Sequence, residues 1–145
     1  VLNVTTTGLR LTWAAPPSNP ASYELSISPN PGVTLPIAIG GGDTGYDVTG
    51  LSQNTTYAFE LRAKNVAGLS APATVQQLTK PSPPSGLAVQ GGSVTDAGLR
   101  LTWTPPGGGL EKYELYYSTA TNAEGGTVLD VDGGTDNFSV SGLSS

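Results

Sequence analysis

The segment Asp130-Val131-Asp132-Gly133-Gly134-Thr135-Asp136-Asn137 holds the densest group of oxygen donors in this chain. Calcium takes about six to eight oxygen ligands, and carboxylates at alternating positions of a glycine-interrupted loop can converge on one ion. Asp130, Asp132 and Asp136 are therefore the candidate metal ligands. No glutamate follows at the position where an EF-hand loop places its bidentate ligand. A second reading is a polar turn between two strands, matched upstream by Gly41-Gly42-Asp43-Thr44-Gly45. The chain has no histidine and no cysteine. It thus lacks the side chain most used for proton transfer near neutral pH, and all thiol chemistry. Apart from a calcium ion at those aspartates, no cofactor is expected.

Other candidate positions are scattered. Asn3-Val4-Thr5, Asn54-Thr55-Thr56 and Asn137-Phe138-Ser139 each satisfy the acceptor pattern for N-glycosylation. Asn54 lies in a turn before Tyr57 and is expected to be exposed. Tyr116 alternates with Tyr113, Leu115 and Tyr117, so it faces the other way, as an outward aromatic on which a sugar ring could stack. Glu24 and Glu114 occupy matching outward positions, and Arg62 is expected to pair with Glu24 across two strands. One glutamate per flat face does not make the opposed pair of acids that glycoside hydrolysis uses. The glycine runs at 40–42 and 107–109 lack the lysine and helix of a phosphate loop and read as turns.

The elements that hold these residues are read from a repeat. Gly8-Leu9-Arg10-Leu11-Thr12-Trp13 recurs as Gly98-Leu99-Arg100-Leu101-Thr102-Trp103. Tyr23-Glu24-Leu25 recurs as Tyr113-Glu114-Leu115. Tyr46-Asp47-Val48-Thr49-Gly50-Leu51-Ser52 returns as Phe138-Ser139-Val140-Ser141-Gly142-Leu143-Ser144. The second copy stops at Ser145 with no counterpart of residues 54–79. Within each copy the apolar residues alternate at period two: Leu9, Leu11, Trp13; Tyr23, Leu25, Ile27; Tyr57, Phe59, Leu61, Ala63. Shorter strands are expected at Val33–Leu35, Tyr46–Val48 and Ala73–Leu78. The fold class is all-β, in antiparallel sheets with one polar face each.

Two motifs make the reading specific. Residues 51–70, Leu-Ser-Gln-Asn-Thr-Thr-Tyr-Ala-Phe-Glu-Leu-Arg-Ala-Lys-Asn-Val-Ala-Gly-Leu-Ser, resemble the signature of a fibronectin type III domain. In that family a turn leads into a tyrosine-bearing strand F that ends in an Asn-x-x-Gly-x-Ser loop. Trp13 and Trp103, each followed by a Pro-Pro pair, match the family's strand B tryptophan. The resemblance implies an immunoglobulin-like β-sandwich in two tandem units. Its core residues would be Trp13, Tyr57 and Trp103. Tyr57 would be the tyrosine corner, its hydroxyl bonded to backbone a few residues upstream. The expected division is a domain over 1–79 with its first strand clipped, a proline-rich linker over 80–84, and an incomplete domain over 85–145. That second domain would lack strands F and G, leaving one side of its core open.

Net charge is −5 with only six Lys and Arg, which argues against a nucleic-acid backbone or an anionic membrane surface as partner. No apolar run approaches the roughly 20 residues that span a bilayer. Val1 opens directly into a Thr-rich segment rather than a signal peptide, as in a mature or excerpted product. Charged residues are sparse, at 12%, so Ser, Thr, Asn and Gly cover the surface, as on many extracellular or cell-surface proteins. The resemblance then implies non-catalytic spacer or adhesive modules of a surface protein, fibre or filament. Alternatives are accessory modules of a secreted polysaccharide-degrading enzyme, or of a virion or tail protein. Expected partners are protein or carbohydrate. A neighbouring copy completing the open unit head to tail is one such partner; a longer tandem array is the simpler account of the missing strands.

Overall fold

A computed structural model describes residues 1–118 and 126–143, so Ser144 of the repeated motif lies outside the described residues. Among the described residues there are strands and no α-helix. The chain divides into two compact units, Val1–Lys80 and Pro81–Ser145. Residues 81–84, which open the second unit, carry no strand.

In the first unit, β1 (Gly8–Thr12) pairs antiparallel with β4 (Gly45–Thr49). The facing sheet runs β3 (Ile37–Gly40), β2 (Ser22–Ser28), β5 (Thr56–Asn65). The far edge of β5 is covered by β6 (Gly68–Leu69) and β7 (Ala73–Leu78). Period-two alternation sends Leu9, Leu11 and Val48 of one sheet against Tyr23, Leu25, Ile27, Ile39, Tyr57 and Phe59 of the other. Burial of each such side chain contributes roughly 1.5–3 kcal/mol, which makes this layer the main stabilising term. Leu25, with 0% exposure, holds the centre. Trp13 sits half-buried at the rim, its ring 5.3 Å from that of Tyr23 and inclined at 66°.

The second unit repeats half of this plan. Here β8 (Ser85–Val89), β9 (Gly98–Thr104) and β12 (Asn137–Ser141) form one sheet. The other holds β10 (Lys112–Tyr117) and β11 (Thr127–Asp132). Trp103 packs on Tyr113 at 5.2 Å and 68°, as Trp13 does on Tyr23. The glycine that opens the repeated hexapeptide has the same cause in both units. A Cβ at Gly8 would stand 2.6 Å from the Val48 carbonyl oxygen, and one at Gly98 2.5 Å from that of Val140. Among the described residues no strand covers the edge of β10 that corresponds to the β5 side of β2. Tyr113 and Leu115 are accordingly half-buried where Tyr23 and Leu25 are closed off.

One expected strand differs. Val33–Leu35 forms bends, with Val33 exposed, because Pro31 and Pro36 supply no N–H and Gly32 takes φ 91°. The strand in that part of the chain is β3, further on. At the start of the chain only Leu2 pairs, in a bridge to Arg10.

The crossover from β4 to β5 is tied by a compact set of hydrogen bonds. The Ser52 N–H donates to the Tyr57 hydroxyl at 2.9 Å. The Thr79 hydroxyl donates to the Ser52 carbonyl at 2.7 Å and accepts from the Thr55 N–H at 3.0 Å. Thr79 is 1% exposed. Lys80 continues the tie, its N–H donating to the Thr5 carbonyl at 3.0 Å while its own carbonyl accepts from the Asn54 N–H at 3.2 Å.

Removing the phenol hydroxyl in Tyr57→Phe leaves the Ser52 N–H without its acceptor, at a cost of about 1 kcal/mol. Thr79→Val strands a donor and an acceptor at once and costs about 2 kcal/mol or more. Urea unfolding of the first unit, followed by tryptophan fluorescence, reads both; unchanged midpoints would refute the tie. Amide hydrogen exchange should find β10 far less protected than β2, because β2 is paired on both edges. Equal protection would show that the edge of β10 is covered in solution.

Candidate functional site

Alternation in β10 and β11 separates two faces. Register places Lys112 opposite Asp132, Glu114 opposite Asp130, and Tyr116 opposite Val128. Directly opposed residues share a face, so these six form the outer one. Tyr113, Leu115 and Tyr117 turn inward, as their period requires. Tyr116 therefore stands outward as expected, 54% exposed, beside Val128 at 49%.

The polar groups on this face form a chain. The Lys112 ammonium lies 3.0 Å from Asp130 Oδ1 and 3.3 Å from Glu114 Oε1. The Tyr116 hydroxyl donates to Glu114 Oε2 at 2.9 Å. The hydrogen bonds to Asp130 and Glu114 hold the Lys112 pKa above its ordinary 10.5. The hydrogen bond to Glu114, with that carboxylate's charge, holds the Tyr116 phenol above its ordinary 10.0.

The aspartates singled out as calcium ligands are engaged separately. Asp130 Oδ1 takes Lys112, Asp132 Oδ1 accepts from the Gly134 N–H at 2.7 Å, and Asp136 Oδ1 accepts from the Asn137 amide at 2.6 Å. Among the described residues no group of three His, Cys, Asp or Glu side chains is placed to hold a metal ion. The segment instead repeats the turn of the first unit. The Thr135 N–H closes on the Asp132 carbonyl at 3.1 Å, as the Asp43 N–H does on Gly40. A Cβ at Gly133 would overlap the Leu110 carbonyl oxygen, at 2.2 Å, and one at Gly41 that of Pro20, at 1.9 Å. One glycine of each turn, Gly41 and Gly133, is thus explained by backbone approach.

The three sequon asparagines stand in different surroundings. Asn3 is exposed, with φ 50°. Asn54, expected exposed, is half-buried, because its turn folds under Lys80. The Asn137 amide accepts from Arg100 at 2.7 Å while donating to Asp136.

The expected Glu24–Arg62 ion pair is not formed, although the two residues are directly opposed. Glu24 pairs diagonally with Lys64 at 2.7 Å, and Arg62 pairs along its own strand with Glu60 at 2.6 Å. Each carboxylate thereby has its own cation. Beside them a shallow trough of about 600 Å³ crosses the outer face of β2, β5 and β7. It exists because Ser26, Ser28, Ala58 and Thr74 are small. Thr79, the buried hydroxyl of the crossover tie, gives no sequence signal, since it follows β7 outside any alternating pattern.

The family model for the fibronectin type III domain matches residues 1–77 and 82–145. Tenascin-R of Gallus gallus is 29% identical over 130 residues, covering 90% of this chain and 9% of that protein. Endoglucanase B of Cellulomonas fimi is 32% identical over 130 residues, covering 81% of this chain and 12% of that protein. The chain thus spans about a tenth of the length of these relatives. Among solved structures, a two fibronectin type III domain segment from chicken tenascin has the same fold. Its TM-score is 0.57 at 24% identity, covering 98% of this chain and 79% of that one.

The polar chain on β10 and β11 has a pH signature. Both raised groups favour their protonated forms in the folded chain, so the stability they contribute is present below about pH 10 and is lost as pH rises through the raised values. Ultraviolet titration of tyrosinate should show Tyr116 ionising late. Glu114→Gln should bring it back towards 10.0, the ordinary phenol value. An unchanged titration in that variant would show that Glu114 does not hold the hydroxyl.

Proposed function

The chain belongs to the fibronectin type III family, and from that premise we propose that its two units are non-catalytic spacer or adhesive modules of an extracellular surface protein or fibre. The observation that carries this reading is the way the unit is repeated. The Trp–Tyr edge contact, the close-approach glycine and the turn that follows β3 and β11 recur in both units with nearly the same geometry. What recurs is chiefly the scaffold, while several outward positions, such as Ser22 and Lys112 or Ser26 and Tyr116, differ, and a scaffold repeated for its own sake suits spacing and display. The exposed Arg10–Asp47 pair is worth well under about 1 kcal/mol, and Glu114 and Asp130, opposed on adjacent strands, are both engaged by Lys112 on an open face rather than set across a cleft as hydrolysis would need.

A second reading, accessory modules of a secreted polysaccharide-degrading enzyme, is favoured by the 32% identity to an endoglucanase over most of this chain. The two readings part on what else the full polypeptide carries. Brief proteolysis of intact source cells, followed by mass spectrometry, should release peptides of both units. The intact source protein should be far heavier than 14.7 kDa. Peptides found only after lysis would overturn the extracellular placement. A hydrolase domain in the same polypeptide would favour the accessory module over the fibre.

A further inference from the structure

We infer that the outer face of β10 and β11 is a docking surface for a neutral polysaccharide, with the Tyr116 ring as its stacking platform. This goes beyond the spacer role and does not depend on it.

The comparison that points there is internal to the chain. Inward residues of the equivalent strands are apolar or aromatic in both units: Tyr23, Leu25 and Ile27 in β2, Tyr113, Leu115 and Tyr117 in β10. Outward, Ser22, Glu24 and Ser26 of β2 become Lys112, Glu114 and Tyr116 of β10. The serine that helps form the shallow trough of the first unit is thus replaced by an aromatic ring in the second. An exposed ring beside an exposed valine leaves apolar area in water, and Tyr116 lies on the face turned away from the core.

The ring is also tethered at one end. Its hydroxyl is fixed to Glu114, Glu114 to Lys112, and Lys112 to Asp130. A pyranose ring presents an apolar C–H face bordered by hydroxyls. The C–H face suits an aromatic plane that has little side-chain freedom to lose. The hydroxyls can donate to Glu114 and Asp130 and accept from Lys112, each of which has spare hydrogen-bonding capacity.

Charge selects among occupants. Glu114, Asp130 and Asp132 outweigh Lys112 on this face, and the whole chain carries −5. That field repels polyuronates, sulfated glycans, nucleic acid and a second copy of the same face. A basic peptide would meet Lys112 amid the carboxylates, where the ammonium already serves two of them. A neutral polyhydroxylated chain meets neither obstacle.

The test is affinity electrophoresis of the whole chain in native gels containing hydroxyethylcellulose, mixed-linkage β-glucan or neutral arabinoxylan, with a polygalacturonate gel as the anionic comparison. Retardation is expected in at least one neutral gel. Tyr116→Ala should weaken it by roughly fivefold or more, and Tyr116→Phe, which keeps the ring, should retain most of it. The fluorescence of buried Trp103 checks that both variants keep the fold. No retardation in any neutral gel, equal retardation of Tyr116→Ala and the unaltered chain, or stronger retardation by polygalacturonate would each overturn the inference.

Discussion

The first unit depends on a crossover that its two sheets cannot make by themselves. Between β4 and β5 the chain leaves one sheet and enters the other, and its backbone groups there have no ladder to join. Tyr57 and Thr79 supply the missing partners from positions otherwise devoted to packing. Because a buried unpaired donor costs more than a made bond contributes, the tie acts chiefly by excluding other paths through the crossover. It fixes the entry angle of β5. That strand then presents Tyr57 and Phe59 to Leu25 and pairs on both edges, with β2 and with β6 and β7. The second unit shows how much rests on this strand. It keeps the Trp–Tyr contact and the turn at Gly133, yet the counterparts of Tyr23 and Leu25 are only half-buried.

Much of this was legible in the sequence because alternation and repetition report backbone constraints directly. A residue that must face a core every second position leaves a period, and a glycine that must admit a carbonyl within 3 Å leaves an invariant place in both copies. The tyrosine corner was legible through the resemblance, since one aromatic hydroxyl aimed at a particular turn is a local feature of that family. Other features left no such trace. Thr79 looks like any threonine after a strand, and only the fold brings it beneath Ser52 and Thr55. Val33 and Leu35 alternate like a strand, but the prolines on either side leave them in bends. Arg62 pairs with Glu60 rather than Glu24 because register fixes only which Cβ atoms are opposed, while the flexible ends of Glu, Lys and Arg choose among several neighbours at little cost.

The aspartate-rich segment shows the same limit from the other side. Its composition suggests an ion, yet composition cannot say whether the oxygens converge. In the fold they diverge to an ammonium, a backbone N–H and a side-chain amide. Gly133, one of the two glycines that give it the look of a binding loop, is required by the Leu110 carbonyl, as Gly41 is by that of Pro20, and would be required with any residues at the acidic positions. A turn duplicated in both units, with one aspartate in the first and three in the second, is governed first by its backbone.

The two copies therefore record which positions the sandwich controls and which it leaves free. Where a side chain touches the facing sheet the copies keep an apolar or aromatic residue, as at Ile39 and Val131, and at Gly8 and Gly98, where a Cβ would strike a carbonyl, they keep glycine. Where a side chain points away from the facing sheet, as at Ser26 and Tyr116, the core exerts no pull and a difference between the copies needs another cause. Outward substitutions of small by polar residues are nearly neutral in stability, so most such differences carry no message. Serine to tyrosine is of another kind, because it adds exposed apolar surface that water disfavours and no packing offsets. That asymmetry sets Tyr116 apart from the other outward changes between the copies and directs attention to what covers its ring.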